Sequence, residues 1–142
     1  MKYLLIILFT GLPFFKMMAQ DTTQVFVNGV KAASAIIKPG DTTAVLSIKK
    51  SSLKNLKSIF IQVNGRNTRN GIYKRSLEIV GGSSTYADET AEKPGKFNML
   101  KTNIKKDLTK GKSFSIYLLM DPANPDMMIP SKRVFVGRLV IF

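Results

Sequence analysis

Residues 108–120 read Leu-Thr-Lys-Gly-Lys-Ser-Phe-Ser-Ile-Tyr-Leu-Leu-Met, and this stretch decides the fold class. Phe114, Ile116, Leu118 and Met120 fall on alternate positions, with Ser113, Ser115 and Tyr117 between them. A period of two is that of a strand with one buried face. Gly111 can take a positive φ and so suits a tight turn before that strand. Leu108 precedes Phe114 by six positions and can fold back over the turn onto the same core. The stretch predicts a corner of an all-β sandwich and carries no feature of an active site.

The same alternation recurs on both sides of it. Val25 and Val27 share a face opposite Phe26, and Asn28-Gly29 then signals a turn or bulge. Residues 32–37 are small and apolar and continue as an edge strand, closed by the Pro39-Gly40-Asp41 turn. Ala44, Leu46 and Ile48 point inward along the next strand, and Leu53 and Leu56 hold a polar connection to the core. Ile59, Ile61 and Val63 form one buried face, and Leu77 and Ile79 another. These two strands read as a hairpin, with Arg66, Arg69, Lys74 and Arg75 near its tip. Residues 81–95 show no periodicity and read as a long loop. Residues 121–130 form a proline-stiffened loop, with Met127 and Met128 expected as buried gap-fillers. Residues 133–142 are the last strand, with Gly137 at a bulge. Because it ends in apolar residues, it must be paired inside a sheet.

Residues 97–110 read two ways. Phe97, Leu100, Ile104 and Leu108 have helical spacing, with Gly111 as the cap. A strand over residues 97–102 followed by a descending connection is the competing reading, and the corner that follows favours it.

The pattern Leu-x-x-Gly-x-x-aromatic-x-aliphatic-x-aliphatic, carried by Leu108, Gly111, Phe114, Ile116 and Leu118, resembles the E–F corner of fibronectin type III and immunoglobulin-like domains. The resemblance implies one antiparallel Greek-key sandwich of about seven strands. Phe114 lacks the hydroxyl of a tyrosine corner, and the chain has neither Trp nor Cys. The resemblance therefore implies a fold and no function.

Residues 1–19 are set apart from this domain. Lys2 precedes an almost wholly apolar run over residues 3–15, and Ala19 offers a small residue at a cleavage position. This is the pattern of a secretory signal peptide, which leaves residues 20–142 as a single secreted or periplasmic domain. The apolar run is shorter than the 20 or so residues of a membrane-spanning helix. With no cysteine, stability rests on packing alone. The composition suits a bacterial envelope or exterior.

The chain has 22 Lys and Arg against nine Asp and Glu. Lys2 and Lys16 belong to the leader, so the remainder carries a net charge of +11. A field of this size attracts anionic polysaccharide, lipid head groups or nucleic acid, and an envelope protein is a further candidate partner. The densest basic stretch is Lys101, Lys105, Lys106, Lys110 and Lys112, with Arg66 and Arg69 as a second patch. These seven side chains are the candidate anion-binding residues. Exposed aromatics are not interleaved among them, which argues against specific single-strand nucleic-acid binding.

With no His and no Cys, the usual zinc and copper ligands and the Ser-His-Asp and Cys-His arrangements are excluded. Asp88, Glu89 and Glu92 are too few and too irregular for a calcium loop. The expectation is a non-enzymatic accessory or interaction domain without a cofactor. The alternatives are a small outer-membrane barrel, suggested by the terminal Phe142, and an enzyme of a type the motifs do not reveal.

Overall fold

Asn28 and Gly29 both have positive φ, 51° and 81°. Two such residues in succession match the twist of a tight hairpin, which Asn-Gly adopts readily. Asn28 does more than turn the chain. Its Oδ1 accepts the amides of Lys57 (2.7 Å) and Ser58 (3.0 Å), and its Nδ2 donates to the Asn55 carbonyl (2.9 Å). The first hairpin is thereby fastened to a connection nearly thirty residues away.

A computed structural model describes residues 20–65, 71–81, 84–99, 104–108 and 113–142. In chain order its elements are β1 (Asp21–Val27), β2 (Val30–Ile37), β3 (Val45–Ile48), β4 (Ile59–Asn64), β5 (Tyr73–Val80), β6 (Ser84–Asp88), β7 (Lys96–Asn98), α1 (Ile104–Leu108), β8 (Ser113–Pro122) and β9 (Lys132–Ile141). One sheet has the order β2-β1-β4-β7 and the other β3-β9-β8-β5-β6. The architecture is all-β and sandwich-like, with two open sheets.

The alternating residues meet between the sheets. Val25, Ile59, Ile61, Val63 and Phe97 from one sheet join Leu46, Ile48, Leu77, Ile79, Ile116, Leu118 and Leu139 from the other in one buried cluster. Burying each such side chain contributes about 1.5–3 kcal/mol, which lets a chain without disulfides stay folded. A 3-10 turn, Lys50–Leu53, brings Leu53 onto the same core.

Several expectations are corrected. There are nine strands among the described residues, not about seven. The sheets are not wholly antiparallel, because β3 crosses from the edge of the first sheet and runs parallel to β9. β4 and β5 are not a hairpin, because they lie in different sheets. The stretch read as a loop contains β6, which pairs with β5. Met127 and Met128 are exposed, Met128 fully, because the loop between β8 and β9 stands clear of the core.

Each reading of residues 97–110 holds in part: the short strand β7 ends at Asn98, and one helical turn spans Ile104–Leu108, while residues 100–103, 109 and 110 and the expected Gly111 cap lie outside the described residues. The bulge in β9 is where it was expected. Register shifts beside Val136, and Gly137 has φ 146°. A Cβ at Gly137 would lie 2.9 Å from Leu46 Cδ1, so this position also permits β3 to dock.

The connections divide between two ends. The β1–β2 turn, residues 49–58, the close of β5 and α1 lie at one end. The β2–β3, β6–β7 and β8–β9 connections, the end of β4 and the start of β5 lie at the other.

Candidate functional site

The end that carries α1 is rich in lysine. Lys31 lies just beyond the first turn, Lys49 and Lys50 follow β3, and Lys54 and Lys57 sit in the connection that Asn28 holds. Lys106 lies on α1. All six are exposed. The backbone under them is fixed: the Lys50 amide donates to the Phe142 carbonyl (2.7 Å), and the Asn28 amide donates to the Ser58 carbonyl (2.8 Å). Lys50 and Lys54 flank a shallow hollow of about 290 Å³, whose wall includes Leu53.

Acidic side chains gather elsewhere. Among the described residues, Asp107 is the one acidic side chain at this end. Glu78 lies mid-strand on an outer face, and Asp21, Asp41, Asp88, Glu89, Glu92, Asp121 and Asp126 lie toward the opposite end. Three of these neutralise cations away from the α1 end, through Arg75–Glu89 (3.0 Å), Lys96–Glu92 (3.2 Å) and Arg133–Glu78 (2.7 Å). Among the described residues the net positive charge is therefore concentrated at one pole. An array of ammonium groups on a fixed scaffold attracts polyanions from a distance, and salt screens that attraction over about 10 Å.

Of the seven candidates named from sequence, the structure places one fully. Lys106 is exposed at this pole. Lys105 belongs to α1, but its side chain is not described. Lys101, Lys110, Lys112, Arg66 and Arg69 lie outside the described residues. The sequence reading missed Lys31, Lys49, Lys50, Lys54 and Lys57. A signal was present: four lysines fall within residues 49–57, slightly denser than the five within residues 101–112 that were chosen. What was hidden is that residues 49–57 share one end of the sandwich with α1, which carries Lys106.

Arg75 belongs to no basic patch. It is in phase with Leu77 and Ile79, is 8% exposed, and is paired to Glu89. The acidic residues of the β6–β7 region do not form a cation site; among the described residues no group of three potential ligands is arranged to hold a metal ion.

The outer face of the five-stranded sheet offers a second polar constellation. Tyr86, Glu78, Tyr117 and Phe135 stand in register across four strands. Arg133 stacks over Tyr117 at 3.7 Å and donates to Glu78. This hydrogen bond holds the Glu78 carboxyl below the usual glutamate range, against the opposing effect of its burial. A depressed carboxyl stabilises the fold above its unfolded pKa and loses that contribution as pH falls through its folded value. Arg133→Gln should therefore cost about 1–3 kcal/mol at neutral pH. The difference from wild type should shrink in strong acid. Urea denaturation at the two pH values checks this, and a pH-independent difference would assign the loss to stacking alone.

No protein family, curated protein or solved structure matches the chain.

Proposed function

We propose that this chain is an exported, non-enzymatic sandwich of immunoglobulin-like topology whose lysine-rich pole holds an anionic component of the envelope or exterior. The observation that carries the reading is the separation of charge: six exposed lysines at one pole beside a single acid, Asp107, among the described residues. Support for the topology comes from the strand order β6-β5-β8-β9, which parallels C′-C-F-G, and β1-β4-β7, which parallels A-B-E. Support for export is the apolar leader pattern of residues 1–19. The ligand class is a polyanion of repeated charge, because lysines act as point charges and lack the planar fork with which arginine selects one anion geometry.

The test is retention on heparin and on anionic vesicles at low and moderate salt. Changing Lys49, Lys50, Lys54 and Lys57 to Gln should weaken vesicle binding by about 1 kcal/mol per lysine, roughly two to three powers of ten together. The salt dependence should flatten in parallel. The control changes Lys38, Lys74, Lys93 and Lys132, exposed residues away from this pole, to Gln and leaves the same net charge. Equal losses in the two variants would reduce the pole to general solubility charge and end the proposal.

A further inference from the structure

The sandwich has four sheet edges, and they are guarded unequally. β7 and β3 are short, at three and four residues. β6 ends in Asp88, and the chain after it bridges to β7 through Glu89 and Phe97. β2 is the exception. It is eight residues long, reads Val-Lys-Ala-Ala-Ser-Ala-Ile-Ile, and pairs only with β1. It contains no proline and one charge, Lys31. Its register irregularity lies opposite Val25 and Phe26, so residues 33–37 form a regular, uncharged edge. Ile36 on this edge is 53% exposed. Edges of this kind pair with another strand unless something prevents it.

We propose that β2 is a self-association edge, where a second copy of this chain adds its own β2 in antiparallel fashion to form a dimer with a continuous eight-stranded sheet. Residues 33–37 are complementary to their own reverse. With Ala35 on the two-fold axis, Ala35 meets Ala35, Ser34 meets Ile36 of the second copy, and Ala33 meets Ile37. A large side chain falls opposite a small one in each unlike pair. Faces also match, since Ser34 and Ile36 stand outward beside Gln24 and Thr22, while Ala33, Ala35 and Ile37 stand inward. Directly opposed residues of an antiparallel pair share a face, so this register buries nothing polar from the outer face.

Charge selects the same arrangement. β2 runs away from the lysine-rich pole, so antiparallel pairing sends the two poles to opposite ends of the dimer. A parallel pairing would place them side by side, at a large repulsive cost for two strongly cationic bodies. The inference does not depend on what the pole binds.

Two measurements test it. Sedimentation velocity over a wide concentration range, at moderate salt, should show reversible dimerisation. Ile36→Lys changes an exposed side chain and should weaken the dimer at least tenfold. The second measurement uses the absence of native cysteine. A tagged Ser34→Cys chain mixed with an untagged Ile36→Cys chain should form the mixed disulfide in preference to either symmetric one, because opposed residues lie within disulfide reach. A protein that stays monomeric throughout overturns the proposal. So does a dimer that Ile36→Lys leaves unchanged, or one that forms no mixed disulfide.

Discussion

Glu89→Ala should cost the fold about 3 kcal/mol or more, the loss typical of removing one partner from a buried ion pair. Arg75 points into the sandwich from β5 on the face that carries Leu77 and Ile79, and it is 8% exposed. Its Nε donates to both Glu89 oxygens, at 3.0 and 3.1 Å, and its Nη2 lies 3.0 Å from Oε1. Glu89 also accepts the Gly95 amide. One carboxylate therefore neutralises a core-facing guanidinium and closes the β6–β7 connection. That connection is held further by the Thr90 amide on the Lys96 carbonyl (2.7 Å), the Val63 amide on the Gly95 carbonyl (2.8 Å) and Gln62 Nε2 on the Pro94 carbonyl (3.0 Å).

Removing Glu89 takes its carboxylate from beside the desolvated Arg75 guanidinium, and the energetic loss comes mostly from that buried cation. Replacing both residues, Arg75→Met with Glu89→Leu, should therefore recover most of the stability. Urea denaturation of the three variants gives the comparison. If Glu89→Ala loses less than about 1 kcal/mol, Arg75 is solvated and the pair is an ordinary surface bridge.

The face that Arg75 occupies was available in the sequence. It has the parity of Leu77 and Ile79, and parity places a strand residue more firmly than its charge does. The strands with large apolar residues at every second position, β3, β4, β8 and β9, were legible for the same reason. β6 was not. Within Ser-Thr-Tyr-Ala-Asp only Ala87 is buried, so an edge strand that contributes one methyl group to the core leaves no periodic signal. Periodicity also does not say which sheet a strand joins. Two consecutive strands with a loop between them suit a hairpin and a crossover equally, and β4 and β5 prove to be a crossover. The lysine pole was half visible for a related reason. Charge density along the chain marks each basic segment, but Asn28, by fastening residues 55–58 to the first hairpin, is what brings the second segment to its place.

Leu108→Ala should cost about 2–5 kcal/mol, the range for emptying a buried leucine site. Leu108 is fully buried, although the helix it ends, α1, has five residues and could not persist alone in water. The turn exists because Leu108 joins the same core cluster as Phe114, and Lys106 is positioned as a consequence. Stability and binding should nevertheless respond differently. Attraction between lysines and a polyanion depends on charge density over several ångströms rather than on a fixed contact geometry. Under conditions where the variant stays folded, its retention on heparin should remain close to wild type while its urea midpoint falls sharply. The four-lysine variant should show the reverse, with the midpoint held and retention lost. Finding both quantities lowered together by Leu108→Ala would mean that the pole binds through a shaped site, with the lysines held in one geometry.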